Sequence, residues 1–282
     1  MDDSPKWDNI IKANRSLLDL RLSEVWRYKD LLFLYVKKEV TVQYKQTVLG
    51  PLWFFVQPIL TTAIFVFVFG NIAGLSTAGL PQPIFYLAGI IIWNFFADCF
   101  TATANTFSDN AQIYGKVYFP RLISPLSIVI SNGLKFLIQF TLFLLLYLYY
   151  ILSGVQLEPN WTLFLLPVLV VMMGLLGLGF GLVFSSLTKK YKDLKFLIRF
   201  GVQLAMYATP VIYPMSEIPS KYSRYIEANP LSHILEAFKF MFFGNGTVSL
   251  LGLIYSFCFM ITLLFLGTII FNRTEQSFID SV

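Results

Sequence analysis

The sequence predicts an all-α integral membrane protein with six transmembrane helices. Of its 282 residues, 56% are hydrophobic and only 13% are charged, whereas a soluble domain carries about 25% charged residues. Apolar stretches of about 18 residues or more recur along the chain, and each is long enough to cross roughly 30 Å of hydrocarbon. The six predicted spans are residues 52–72, 83–105, 125–151, 161–187, 196–213 and 248–271.

Lys and Arg residues are distributed unevenly among the segments that connect these spans. Nine lie in residues 1–51, two in 106–124 and five in 189–199. Loops 73–82 and 152–160 carry none, and the longer segment 214–247 carries three. Because cytoplasmic loops are enriched in these residues, the distribution predicts that both termini are cytoplasmic.

The N-terminal segment, residues 1–51, precedes a membrane domain at 52–282. Its acidic and polar start, MDDSPKWDN, lacks the pattern of a cleaved signal, so the first span is expected to act as its own insertion signal. From residue 23 onward, apolar side chains recur at helical spacing beside a basic face. This pattern predicts an amphipathic helix on the cytoplasmic membrane surface, with its apolar face in the lipid boundary. The helix is either a topology anchor or a docking platform for a cytoplasmic partner.

Gly50 and Pro51 lie where the basic, polar segment changes into the first span, in the stretch YKQTVLGPLW. Proline cannot continue a preceding helix but fits the first turn of a new one. The pair is therefore predicted to be the hinge that turns the chain from the membrane surface into the bilayer.

The segment between spans five and six mixes prolines, charges and apolar residues. Residues 214–243 predict two short helices, separated near Asn229 and Pro230, that dip into the outer leaflet without crossing it. Ordinary packing of an external loop is the alternative interpretation.

Several kinds of chemistry have no support in the sequence. The only Gly-Lys pair, Gly115-Lys116, lacks the upstream glycine of a phosphate-binding loop. The single histidine, His233, has no evident catalytic or ligand companions, and Cys99 and Cys258 lie in apolar runs typical of small hydrophobic residues. The run GLLGLGFGLVF at 174–184 favours close helix packing over nucleotide binding. We therefore expect no catalytic residue, metal site or cofactor.

Two ionisable residues fall inside predicted spans, which by itself is a functional hypothesis. Asp98 lies in the cytoplasmic half of span two, and Lys135 lies near the middle of span three. The two spans are antiparallel neighbours, and the lysine stem covers part of the difference in depth. We predict an ion pair between them, with a structural role favoured over a proton or substrate relay.

Aromatic residues recur on single helix faces in two spans. In span two the spacing is seven residues, and in span five it is three or four. Rings of this kind commonly face lipid, but they also bind sugars by stacking on the apolar faces of the sugar rings. The candidate channel residues are Tyr86, Trp93, Phe100, Phe196, Phe200, Gln203 and Tyr207.

Four ordered motifs carry a family resemblance over essentially the whole chain. The stretch SEVWRYKDLLFLYVKKEVTVQYKQTVLGPLWFFVQP (23–58) closely resembles the opening of permease subunits of polysaccharide ABC exporters. GKVYFPRLISPLS (115–127), YATPVIYP (207–214) and NPLSHILEAFK (229–239) follow in the same order. The tail NRTEQSFIDSV (272–282) is similar to the ending of O-antigen members.

The resemblance implies a non-enzymatic permease in the bacterial cytoplasmic (inner) membrane. Such permeases form homodimers and bind two copies of a separate ATP-hydrolysing subunit. They move a polysaccharide on a polyprenyl-diphosphate anchor through a channel between the two copies, and helices like those at 214–243 form an external gate. No nucleic acid partner is implied.

The resemblance also implies roles for residues in the loop between spans two and three, about 106–124. The residues expected to contact the ATPase are Tyr114, Gly115, Lys116, Pro120 and Arg121. The residues expected to receive the diphosphate are Lys45, Lys116 and Arg121, with simple positive-inside topology as the alternative for these cations.

Three alternatives to O-antigen export stay open at this point. A permease for teichoic acid or capsule would share the same motifs. A type-2 exporter of small hydrophobic molecules would need no continuous aromatic channel. A membrane scaffold or assembly subunit would have no transport path at all.

Overall fold

The computed structural model describes residues 22–279 apart from residues 46, 118, 192, 245 and 247. The first 21 residues of the predicted N-terminal segment lie outside this part of the chain. Every regular element that is described is helical. The helices are α1 (Leu22–Arg27), α2 (Lys29–Tyr44), α3 (Trp53–Phe65), α4 (Gln82–Ala104), α5 (Thr106–Asp109), α6 (Ala111–Tyr114), α7 (Ile123–Leu152), α8 (Leu166–Lys190), α9 (Leu194–Tyr207), α10 (Ser220–Glu227), α11 (Pro230–Phe243) and α12 (Leu250–Ile279).

Five helical segments within the described residues are long and apolar enough to cross a membrane. A short 3-10 helix and a π-helical segment extend α3 at its two ends. Another short 3-10 helix leads into α8. The five segments are Gly50–Ile72, Gln82–Ala104, Ile123–Leu152, Trp161–Lys190 and Leu250–Glu275. They agree with five of the six predicted spans to within a few residues.

The remaining predicted span, 196–213, differs from the other five. Its helix, α9, has 14 residues and is therefore about 21 Å long, which is less than the thickness of the hydrocarbon. Non-helical turns at 208–214 continue from it. The six-span count therefore stays a prediction that depends on how this segment is placed in the bilayer.

Helix α4 lies at the centre of the fold, and α8 packs closely against it through a row of glycines. A β-carbon at Gly177 would lie 2.7 Å from Cβ of Cys99, and one at Gly174 would lie 2.8 Å from the ring of Phe95. A β-carbon at Gly181, one helical turn further along, would likewise collide with the side chain of Thr103. The predicted role of the glycine run in helix packing is confirmed.

The opposite side of α8 receives α12 through a second close approach. A β-carbon at Gly267 would lie 2.9 Å from the carbonyl oxygen of Gly179, and one at Gly179 would lie 3.0 Å from Leu263. Small residues allow helix backbones to approach closely in a membrane, where van der Waals packing holds helices together. Helices α4, α8 and α12 consequently form one packed layer.

The N-terminal helices pack against protein rather than presenting their apolar face to lipid. Val25, Tyr35 and Val36 are buried, and the ring of Tyr35 lies 5.7 Å from that of Phe119 in the loop after α4. The predicted lipid-facing orientation of this apolar face is therefore wrong. These two helices carry apolar residues on more than one side. Large apolar side chains such as Trp26 of α1 and Phe33 of α2 therefore remain exposed.

Gly177 tests the close packing of α4 and α8. We expect Gly177→Ala to lower the thermal midpoint of unfolding, because the added methyl group collides with Cys99 and the Phe96 carbonyl at a cost of about 1–3 kcal/mol. The midpoint is measured by thermal unfolding of the detergent-purified protein.

Gly133→Ala in α7 is the matched control, because a β-carbon there meets nothing within 4 Å. Alanine at an open helix position is expected to stabilise by about 0.5–1 kcal/mol. Equal midpoints for the two variants would contradict the packing described here.

Candidate functional site

Four of the predicted channel residues share one exposed face of α9. Phe196 is 75% exposed, Phe200 is 59% exposed and Tyr207 is 43% exposed, and Gln203 is exposed between them. Spacings of four, three and four residues place all four on one side of the helix. The ring of Tyr207 lies 6.5 Å from that of Phe69, so the end of the first span borders the same face.

The three predicted channel residues of α4 do not join this face. Tyr86 and Trp93 are buried in the protein core, and Phe100 packs against Phe180 and Phe184 with ring centroids 5.6 and 5.4 Å apart. Their seven-residue spacing does place them on one side of α4. That side is covered because α4 is surrounded by other helices, so the spacing alone gave a wrong surface position.

The turns after α9 are buried and depend on Lys239 of α11. Its ammonium group donates to the carbonyl oxygens of Pro210 at 2.7 Å and Val211 at 3.1 Å, and it lies 3.8 Å from the centroid of the Phe85 ring. Gly89 of α4 lets the Val211 carbonyl approach closely. Non-helical backbone at membrane depth needs such internal partners. The sequence pattern did not single out Lys239, although a lysine three residues after Glu236 in a mostly apolar helix was a usable signal.

The predicted break between two short helices before the last span is confirmed. Helix α10 ends at Glu227, and Asn229 caps α11 by accepting a hydrogen bond from the Leu231 amide at 3.1 Å. The same side chain donates to the Thr209 hydroxyl at 2.9 Å. Ser256 of α12 donates to the Pro230 carbonyl at 2.7 Å. The joint between α10 and α11 is thus tied both to the turns after α9 and to α12.

The loop between α4 and α7 contains the five residues predicted to contact the ATPase, and two of them are exposed. Gly115 and Lys116 are exposed at its tip, whereas Tyr114, Pro120 and Arg121 are buried. The Arg121 guanidinium donates to the backbone carbonyl of Glu275 at 3.1 Å and lies 5.2 Å from the Tyr114 ring centroid. Burial, the largest cause, raises the pKa of the Tyr114 phenol, which therefore stays neutral at physiological pH.

Arg121 is not placed to receive a substrate diphosphate. Its guanidinium is used inside the protein, where it ties the loop to the C-terminal part of α12. A basic residue next to a proline in a predicted loop gave no sign of this internal contact. Lys45 and Lys116, the other two predicted diphosphate residues, are both exposed.

The same loop is held between α2 and α12 by aromatic contacts. Phe119 packs on Tyr35 of α2, and Phe107 stacks on Phe271 of α12 with ring centroids 4.6 Å apart. From α2 the chain continues to Gly50, whose φ of +53° is a left-handed conformation that favours glycine. Pro51 then lies in the first turn of the span, as the sequence predicted.

The predicted ion pair inside the membrane domain is confirmed. Lys135 of α7 donates to the Asp98 carboxylate of α4 over 2.6 Å. Among the residues that the structure describes, no group of three or more His, Cys, Asp or Glu side chains is placed to hold a metal ion.

Most of this fold matches a known protein family. The family described as ABC-2 type transporter matches residues 30–243, which run from α2 to the end of α11. The chain belongs to the ABC-2 type transporter family. Permeases of this family normally work with an ATPase subunit.

Individual members of the ABC-2 type transporter family match nearly the whole chain. The O-antigen export system permease protein RfbA of Klebsiella pneumoniae is 30% identical over 89% of this chain and 94% of its own length. A protein of the same name from Myxococcus xanthus is 26% identical over 92% and 98%. The polysialic acid transport protein KpsM of Escherichia coli is 24% identical over 89% and 95%.

Proposed function

We propose that this chain is the permease subunit of an ATP-driven exporter that moves a polyprenyl-diphosphate-linked polysaccharide, of the O-antigen type, across the bacterial inner membrane. The observation that carries the proposal is the exposed α9 face, which combines Phe196, Phe200 and Tyr207 with the amide of Gln203. The named relatives that share nearly the full length support it. Both termini are cytoplasmic in this proposal.

Two copies of the chain enclose the transport path in this proposal. In a dimer with two-fold symmetry, both copies use the same surface at their interface. The α9 face of one copy, with its three exposed rings, then lies opposite the α9 face of the other. Flat rings stack on the apolar faces of sugars, and Gln203 offers both a donor and an acceptor to hydroxyl groups. A glycan can therefore slide along the face without a tight stopping point.

The fifth crossing in this proposal is made by α9 together with the turns at 208–214. The turns follow the 14-residue helix directly in the chain, and Lys239 donates to two of their carbonyl groups, those of Pro210 and Val211. This brings the number of crossings to six. Helices α10 and α11 then lie at the external mouth as the gate.

ATP hydrolysis is transmitted through the loop between α4 and α7. Its exposed tip at Gly115 and Lys116 contacts the ATPase subunit, and its buried base is held by α2 and by the end of α12. Displacement of the loop therefore moves α2, and α2 pulls on the first span through the Gly50 hinge. Lys45 and Lys116 are exposed cations suited to the substrate diphosphate at the cytoplasmic entrance.

Capsule export is the second candidate function. The near full-length match to the polysialic acid transport protein favours it, although the identity is lower than that of the O-antigen relatives. Both functions use the same path and the same coupling loop, and they differ in the glycan carried.

Depletion of this protein in its own cells tests the function. We expect full-length glycan to accumulate on its polyprenyl anchor at the cytoplasmic side and to disappear from the surface, because synthesis continues while export stops. Extraction of lipid-linked glycans measures the first effect, and the released sugars identify the polymer. Unchanged glycan in both places would contradict the proposal and favour a pump for small hydrophobic molecules.

Gly50→Val tests the hinge. Valine at a φ of +53° is strained by about 1–3 kcal/mol, so we expect glycan export to fall about tenfold while ATP hydrolysis by the complex continues. Surface glycan and phosphate release are measured at matched protein levels in the membrane.

Gly74→Val is the control for this change. Gly74 has a φ of +62° and open space around it, but it lies in the loop 73–81 at the other end of the first span. Normal export by the Gly50 variant, or an equal loss in both variants, would rule out a specific hinge at Gly50.

A further inference from the structure

A polar cleft lies beside the Asp98–Lys135 ion pair, at the end of the membrane domain where α2, α4, α7 and α9 meet. Its volume is about 300 Å³, which is at the lower end of the range for ligand pockets. Its polar lining residues include Glu39, Asp98, Thr101, Ser131, Lys135 and Arg199.

The ion pair is accessible from this cleft rather than sealed in the core. The side chain of Asp98 is 38% exposed and that of Lys135 is 16% exposed. Charged residues inside membrane spans are costly, and they generally face a protein interior or a water-filled cavity that serves a substrate or ion.

The lining offers hydrogen-bond acceptors and donors in a balanced arrangement. The Thr101 hydroxyl donates to the Ala97 carbonyl at 2.7 Å, and the Ser131 hydroxyl donates to the Ile128 carbonyl at 3.0 Å. Each hydroxyl has donated its hydrogen, so its oxygen is left as an acceptor in the lining, as is the carboxylate of Asp98.

Two cations, Lys135 and Arg199, supply donors on other sides of the cleft. Glu39, Asp98 and Asp109 line the same space, and each pairs with a lysine: Lys38 at 3.8 Å, Lys135 at 2.6 Å and Lys195 at 3.3 Å. The charges around the cleft therefore largely cancel, and its lining lacks the cluster of cations that a diphosphate requires. Neutral sugar hydroxyls, which both donate and accept, match the lining.

The cleft borders the exposed α9 face through Arg199. Arg199 lies three residues after Phe196 and four residues before Gln203, so it sits at the edge of that face and points toward the cleft. A glycan that leaves the cleft therefore meets the aromatic rings next.

We propose that this cleft is a sugar-binding subsite that holds one unit of the glycan by hydrogen bonds at the cytoplasmic end of the path. The proposal rests on the proposed function and adds a specific polar site to it. The subsite orients the incoming sugar before the chain enters the aromatic part of the path.

Two double variants separate sugar binding from a structural role of the ion pair. Asp98→Leu/Lys135→Met removes both the charges and the hydrogen-bonding groups, while Asp98→Asn/Lys135→Gln removes the charges and keeps hydrogen-bonding groups. Replacing both members of an ion pair avoids leaving one charge unpaired. A structural role predicts that the two double variants behave alike.

The binding measurement uses the complex with its ATPase subunit in lipid nanodiscs. The probe is oligosaccharide released by mild acid from the surface polysaccharide of the same cells, and saturation-transfer NMR measures its affinity. We expect the apolar double variant to bind about tenfold more weakly, because it loses the hydrogen-bonding groups of both side chains, which the polar double variant keeps. The polar double variant should stay within about threefold of the wild type.

The possible failures are distinguishable from one another. Equal affinity of the apolar double variant and the wild type, or no binding by the wild type, would overturn the subsite. Displacement of the oligosaccharide by inorganic pyrophosphate would overturn its assignment to a sugar. Depletion that leaves surface and lipid-linked glycan unchanged would overturn the exporter function itself, whatever the probe does.

Discussion

The close approach of α8 to α4 is the constraint on which the rest of the structure depends. Gly174, Gly177 and Gly181 leave no room for a β-carbon against α4, and Gly179 with Gly267 brings α12 equally close on the other side. In a bilayer, where lipid is as apolar as the helices, this contact area replaces the hydrophobic effect as the source of association. With α4 fixed at the centre, its aromatic residues become core, whereas α9 keeps an uncovered aromatic face.

Polar groups are placed where this packed layer ends. Near one end, Lys239 satisfies the carbonyl groups of the broken segment after α9. Toward the other end, Lys135 pairs with Asp98 beside an open cleft. The first arrangement fixes an irregular backbone inside the protein, and the second keeps charges accessible. This difference is why we assign a structural role to Lys239 and a ligand-binding role to the cleft.

The buried base of the loop between α4 and α7 connects this loop to two helices of the membrane domain and its N-terminal segment. Arg121 holds the end of α12, and Phe119 holds α2. Neither contact involves the tip of the loop, so the tip is free to meet a partner while the base stays attached. In the proposed mechanism, a force on Lys116 is transmitted by these two contacts to the first and the last membrane span.

The sequence predicted elements that depend on local pattern and missed those that depend on surroundings. The Asp98–Lys135 pair, the glycine packing and the break at Asn229 follow from spacing within one or two neighbouring segments, and all three are present. Tyr86 and Trp93 were misplaced because periodicity defines a helix face but not what covers it. Arg121 was misassigned for a related reason, since its partner in α12 lies 154 residues away in the chain.

The α9 segment shows a further limit of reading spans from composition. Residues 196–213 are apolar enough to suggest one continuous helix, but the chain leaves the helix after Tyr207. Thr209-Pro210 and a buried lysine from another helix stabilise the turn that follows. A hydropathy profile depends only on residue type, so it is the same whether the residues after Tyr207 continue the helix or form turns.

The central claim is that the exposed α9 face is the surface along which the glycan moves. A photo-crosslinking amino acid at Phe200, in cells that are exporting metabolically labelled glycan, tests it most directly. The same probe at Phe265, an exposed aromatic residue of α12, reports on a surface that faces lipid in this account. We expect labelled glycan to be captured at position 200 and not at position 265; capture of lipid alone at both positions would contradict the account.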